Sequence, residues 1–246
     1  MDRDKTYEEI LKKTEADPNV LGLILSGGRG KGMATEHSDY DLIIVVQEDA
    51  KAQAVEEYEK KYNSIENIEA HVKTLNEFQK SSEWGSDESW NRYTFAHIKA
   101  QIDKTGEIQK LIDSKGVIPS SEVKKFTSYW IGGFINQYYR AFKNNRDKNM
   151  LAAHLDAIES IPMLLNVLFG REGRLRPYNK FLEWELKKYP LQHLPWPPDE
   201  FMAAIKKVLQ TGDIEIMKDF YRKLRDTSIE MGYEKDIQEW DGYKLE

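Results

Sequence analysis

Leu21-Gly-Leu-Ile-Leu-Ser-Gly-Gly-Arg-Gly-Lys-Gly-Met-Ala-Thr-Glu-His-Ser-Asp-Tyr-Asp-Leu-Ile-Ile-Val-Val46 is the stretch whose reading decides the fold. An apolar run ends at Ser26-Gly27-Gly28, a polar loop follows, and Asp39-Tyr40-Asp41 opens a second apolar run. Both runs have strand composition. Alternate strand residues share a face, so Asp39 and Asp41 point the same way. Two carboxylates on one face repel unless a cation lies between them, and hard divalent ions such as magnesium take oxygen ligands. Across the loop, glycines let backbone N–H groups come close to an anion, and Arg29 and Lys31 add positive charge. A phosphate cradle facing a metal-binding pair is the equipment of phosphoryl or nucleotidyl transfer.

Neither piece is specific alone. Glycine-rich loops are common, and Asp-x-Asp often only opens a strand from a turn. Their spacing, between two strand-like runs, is what carries the reading. No Gly-Lys-Ser/Thr ends the loop, which argues against a P-loop. The loop leads into a strand rather than a helix, which argues against a dinucleotide-binding fold.

The segment resembles the polymerase-β-like nucleotidyltransferase superfamily. Its signature is Gly followed by Gly or Ser, about ten residues, then Asp-x-Asp or Asp-x-Glu in a strand; Gly27-Gly28 and Asp39-Tyr40-Asp41 fill those positions. The loop Gly27-Gly28-Arg29-Gly30-Lys31-Gly32 looks like the Gly-Ser-Arg-Ala-Arg-Gly loop of small stand-alone members. The chain departs at Gly28, where a serine hydroxyl often touches the phosphates, and at Ser26, where the family usually has an apolar residue. Ser26 is the candidate to supply the missing hydroxyl from one position earlier.

The resemblance also implies a third Asp or Glu on a later strand. Glu69, in Ile68-Glu-Ala-His-Val-Lys-Thr-Leu75, is the match, leading into a Thr-Leu-x-Glu-Phe-like helix start. It would complete the metal shell and take the proton of an attacking hydroxyl. The plainer reading is a solvated strand face of Glu69, His71 and Lys73. Asp103 is the reserve, with a turn role as its own plainer reading.

The chain has 246 residues, enough for two modest domains. It has no cysteine, hence no disulfide or thiolate metal site, which fits a reducing, cytoplasmic setting. A net charge of −6 argues against broad nucleic-acid binding. No signal core and no membrane span are expected. Thr6-Tyr7-Glu8-Glu9 reads as a capping box, with the helix stopped at Asp17-Pro18. Strands are expected at Val20 to Leu25, Asp39 to Gln47, Ile68 to Leu75 and Arg92 to Ile102. Helices are expected at Asp49 to Tyr62, from an N-cap at Asn76, and at Glu107 to Asp113.

Gly116 to Ser121 reads as a linker. Beyond it Phe126, Trp130, Phe134, Tyr138 and Phe142 recur every four residues, an apolar helical stripe. Further helices are expected at His154 to Phe169 with a kink or break at Pro162, at Asn179 to Lys188, after Pro197-Pro198-Asp199, and at Ile214 to Met231. The fold class is therefore α+β: a catalytic domain over 1–115 with a small mixed sheet flanked by helices, then an all-α bundle over 122–246. This layout resembles the antibiotic adenylyltransferases of the kanamycin and streptomycin type, specifically over residues 20–46 and only architecturally past 115. In those enzymes a Lys or Arg of the helical domain reaches the nucleotide phosphates. Lys180, in Arg174-Leu-Arg-Pro-Tyr-Asn-Lys180, is the matching candidate, with a solvated helix end as its alternative; Tyr139 and Arg140 are weaker ones. His97 and His154 read as structural.

The resemblance implies an enzyme moving a nucleoside monophosphate, AMP from ATP, to a hydroxyl of a small molecule, an aminoglycoside-like antibiotic among the candidates. Asp39, Asp41 and Glu69 would hold two magnesium ions. Ser26, Gly27, Gly28, Arg29, Lys31 and Lys180 would bind the nucleotide. Two alternatives stand beside it: a protein-modifying, AMPylating enzyme, and a nucleotide-binding regulator without catalysis.

Overall fold

The computed structural model describes residues 3–243 and divides into two compact units, Met1–Val117 and Ile118–Glu246. The first unit opens with α1 (Arg3–Ala16), which buries Thr6, Ile10 and Thr14 and ends at Asp17-Pro18. Strand β1 (Val20–Leu25) runs into α2 (Gly27–Gly30), a single helical turn, and the loop then delivers the chain to β2 (Tyr40–Val46). A continuous helical crossover follows: a 3-10 turn at Glu48–Ala50, α3 (Lys51–Ala54) and a π-helical segment at Val55–Lys60. It returns the chain to β3 (Ile68–Thr74), parallel to β2, as a parallel pair requires. After α4 (Leu75–Lys80) and a 3-10 segment (Ser89–Phe95) come β4 (Ala100–Asp103) and α5 (Ile108–Lys115).

The sheet order is β3-β2-β1-β4, with β1 antiparallel to both its neighbours. Both sheet faces are covered, which is why β1 and β2 read as unbroken apolar runs. Leu42, Ile44 and Val46 pack with Ile10, Tyr58 and Tyr62 on one face. Ile24 and Val45 pack with Phe78, Phe95, Ile98, Ile108 and Ile112 on the other. The outer edge of β3 is closed by side chains: the Asn63 amide bonds both Ala70 N–H and C=O, and Glu59 accepts from Val72 N–H. An edge satisfied this way is a poor template for further strands.

Some boundaries in this unit differ from those expected. The long fourth strand is reduced to Ala100–Asp103, because Arg92 is buried and donates to the carbonyls of Ser82, Ser114 and Val117. A guanidinium tying three separate segments folds the chain into a 3-10 turn instead. The cap of α4 is Thr74 rather than Asn76: Thr74 Oγ1 accepts from Glu77 N–H while Glu77 accepts from Thr74 N–H, a capping box. The first helix already includes Arg3, ahead of the Thr6 signal.

The regular elements of the second unit's described residues are helices: α6 (Val123–Arg146), α7 (Met150–Gly170), a 3-10 turn (Asn179–Phe181), α8 (Leu182–Lys188), α9 (Pro198–Thr211), α10 (Ile214–Glu230) and α11 (Glu234–Gln238). The aromatic stripe faces its core: Phe134 and Tyr138 are fully buried, and Tyr138 stacks on Tyr221 at 4.8 Å. The helix α7 starts four residues before His154 and runs through Pro162 without ending. By length and hydropathy α7 alone among the described helices is apolar enough to cross a membrane, an exception to the expectation from sequence. Its buried positions include Asp156 and Ser160, and Asp156 accepts from Gln137 and Asn144. That is the pattern of a core helix packed against polar partners.

Candidate active site

Strand β1 ends at Leu25, and the next residue ties the loop to β2. Ser26 N–H donates to the Asp41 carbonyl at 2.9 Å, and the Ser26 hydroxyl reaches the same oxygen at 3.3 Å. Gly27 then turns with φ +61°, left-handed backbone that favours glycine. A Cβ placed there would lie 1.9 Å from Asp41 Oδ2. Gly27 is thus glycine for two reasons, its backbone angle and the carboxylate beside it. Gly30 closes the turn by donating to Ser26 C=O at 2.8 Å, so near the strand that a Cβ would lie 2.2 Å from Leu25 C=O. Gly28 is under no such constraint: a Cβ there would meet Met33 C=O at 3.4 Å, an ordinary contact.

The two cations of the loop are turned to structural tasks. Arg29 lies with its guanidinium 3.9 Å from the Tyr40 ring centre, donates to Ser38 C=O at 3.2 Å and faces Asp4 at 3.7 Å. Tyr40 OH donates to the same Asp4 at 2.8 Å, so α1, the loop and the start of β2 share one knot. Lys31 is 4% exposed. Its Nζ donates to the carbonyls of Tyr93 at 3.1 Å, Thr94 at 3.3 Å and Ala96. In this structure Arg29 and Lys31, both expected at the phosphates, brace the loop. A buried ammonium needs such acceptors, and three carbonyls supply them. Lys31→Met is expected to cost roughly 2–3 kcal/mol of stability, from lost charge-assisted bonds and stranded carbonyls. Urea denaturation beside a nucleotide titration checks this: destabilisation with affinity intact marks a brace, whereas lost affinity at full stability would return Lys31 to the phosphates.

Asp39 immediately precedes β2, and Asp41 is its second residue. In the parallel register Asp41 is the partner of Glu69. Paired residues of parallel strands project to the same side, so the three carboxylates converge, with one oxygen from each within 4.8 Å of the others. Asp39 and Glu69 are exposed and Asp41 is half-buried. Among the described residues Asp39 makes no hydrogen bond or ion pair, and Glu69 makes one, to His71. At 4.8 Å each like-charge pair costs about 1 kcal/mol in water and about 3–4 at an effective dielectric of 20. A divalent cation removes that cost. Oxygens on one magnesium ion at about 2.1 Å lie roughly 3–4 Å apart, so the carboxylates need close by at most about 1–2 Å. The donor set is all oxygen, three-fold anionic and open to solvent, and it fits such an ion.

Each of the other candidates has neighbours within its own unit. Asp103, the reserve, is spent on its own turn. Burial would raise its pKa, but backbone N–H bonds from Gln109, Gly106, Thr105 and Ile108 outweigh that and hold it low. Lys180 is exposed, its Nζ 4.8 Å from the Phe181 ring centre. In the same segment Arg174 is bonded to the buried Glu185 at 2.5 Å. Arg140 reaches Asp156 at 3.5 Å, Tyr139 packs on Tyr243, and His154 Nε2 lies 3.2 Å from Leu209 C=O. The residue that sequence reasoning left unassigned is His71; the strand periodicity that places it beside Glu69 was the available signal.

Residues 5–102 match the nucleotidyltransferase domain family, an interval that runs from α1 to the penultimate residue of β4. That match supports nucleotidyl transfer as a reaction class for the first unit and implies a nucleoside triphosphate as substrate. A solved structure described as a nucleotidyltransferase-like protein from Exiguobacterium sibiricum 255-15 is similar at 11% identity, covering 97% of this chain and 87% of that one with a TM-score of 0.39. No curated protein sequence matches the chain.

Proposed function

We propose that the protein transfers a nucleoside monophosphate, AMP from ATP, to a hydroxyl group of a small molecule. The observation that carries this reading is the convergence of Asp39, Asp41 and Glu69 behind a glycine turn that has room for the Asp41 carboxylate only because Gly27 lacks a side chain. In this reading Asp39, Asp41 and Glu69 hold magnesium. When bound, the metal supplies charge neutralisation at the triphosphate and at the oxygens of the in-line displacement. The Gly27–Gly30 turn offers its first backbone N–H groups, which a helical turn leaves without partners inside the helix, to the β- and γ-phosphates. The acceptor oxygen attacks the α-phosphorus, the bond to pyrophosphate breaks, and Glu69 takes the acceptor's proton.

The test is pyrophosphate release with ATP and magnesium against a panel of hydroxylated compounds that includes aminoglycosides. Acceptor-dependent release supports the proposal. A ligand-induced rise in melting temperature without release for any acceptor would favour the regulator. That second reading draws on one observation, the engagement of Arg29 and Lys31 with groups of the protein itself. Lys180, proposed from resemblance alone, is judged by affinity: Lys180→Ala is expected to weaken ATP binding by roughly 1.5–3 kcal/mol, the range for a charge-assisted hydrogen bond. Unchanged affinity in a calorimetric titration would assign Lys180 to the solvated surface.

A further inference from the structure

Glu69 and His71 stand two residues apart on β3, on the face that carries Asp41, since alternate strand residues share a face and Asp41 pairs with Glu69 in the parallel register. His71 lies opposite Ile43, one step further along the same face. Its Nε2 is 3.1 Å from Glu69 Oε1. Among the described residues each is the other's one hydrogen-bond or ion-pair partner. Packing does not hold either of them, because the side chains are 53% and 57% exposed.

These facts single out Glu69 as the member of the triad that needs guidance. Its side chain has one torsion more than those of Asp39 and Asp41, it starts from an edge strand, and half its surface meets water. The ring nitrogen facing the carboxylate is a donor there, since a carboxylate oxygen only accepts. That nitrogen is engaged with Glu69 and is not itself directed at a cation. Metal-binding side chains are commonly oriented by such outer hydrogen bonds.

We infer that His71 is a positioning residue: its Nε2–H holds the Glu69 carboxylate turned toward Asp39 and Asp41, so that the three oxygens are gathered for a divalent cation before the cation arrives. The inference rests on the reading of the triad as a cation site.

The experiment titrates manganese into the metal-free, full-length protein without nucleotide and follows free manganese by electron paramagnetic resonance. Wild type is compared with His71→Ala, His71→Gln, Glu69→Gln and the double variant Glu69→Gln/His71→Ala, with circular dichroism of each to show that the fold is kept. His71→Ala is expected to weaken manganese binding roughly 10–100-fold, the range for loss of an outer-shell partner. His71→Gln should stay within about threefold of wild type, because its amide N–H reaches the same place. The double variant should bind no more weakly than Glu69→Gln, since a guide without its carboxylate has nothing to hold. Wild-type affinity in His71→Ala would overturn the inference while leaving the cation site standing. So would a loss in His71→Gln equal to that in His71→Ala. Absence of manganese binding in the wild type would overturn the cation site and the inference with it.

Discussion

Asp41→Asn is expected to lower nucleotidyl transfer by roughly 10³-fold or more while leaving the melting temperature unchanged or slightly raised. A metal-held transition state is stabilised by several kcal/mol, and each 1.36 kcal/mol is a factor of ten in rate. The Asn side chain keeps the size of Asp and fits beside Gly27, but it removes one of three negative charges that converge within 4.8 Å. In the metal-free protein that relieves repulsion worth about 1 kcal/mol per pair at water-like dielectric. Activity and stability should therefore move in different directions, which a merely structural carboxylate would not produce. Asp39→Asn should behave alike, and more cleanly, since Asp39 makes no hydrogen bond or ion pair among the described residues that its loss would break. Pyrophosphate release and thermal melting, measured on the same preparations, check both. Full turnover in either variant would remove the triad from the reaction.

Much of this site is legible in the sequence because it depends on strand periodicity. Asp39, Asp41 and Glu69 each stand at or near the start of a strand, where alternation alone fixes the side, and the two strands pair in register. The apolar runs at Val20–Leu25 and Tyr40–Val46 are likewise set by burial of both sheet faces. What the sequence hides is what a charged side chain does once the chain is folded. Lys31 in a glycine loop reads as a phosphate ligand, yet its acceptors are carbonyls more than sixty residues away. Arg92 reads as the start of a strand, yet it is a buried knot among three backbone carbonyls. Both partnerships are non-local and made with backbone atoms, which carry no residue identity. In the second unit the aromatic stripe was readable for the same reason as the strands, its regular spacing. The role of Lys180 was not, because a single exposed lysine has no periodic signature.

Gly27→Ala is expected to reproduce the catalytic loss of Asp41→Asn without touching a charge, and to destabilise the protein as well. Left-handed backbone costs a non-glycine residue roughly 1–2 kcal/mol, and Gly27 sits at φ +61°. The added methyl would also occupy the position 1.9 Å from Asp41 Oδ2, so the carboxylate must rotate away from its partners or the turn must open. Either response spoils the convergence with Asp39 and Glu69. Gly28→Ser is the matched control. Its Cβ meets nothing closer than 3.4 Å, so stability should stay within about 0.5 kcal/mol and turnover should be kept. In the Asp41→Asn background, Gly27→Ala should lower turnover little further, because the group it displaces no longer binds metal; its cost in stability should persist. Turnover and urea denaturation across the four proteins of that cycle separate the two effects. An active Gly27→Ala enzyme would mean that the Asp41 carboxylate does its work from another position, and an additive loss in the double variant would mean that Gly27 acts through the phosphate-facing backbone rather than through Asp41.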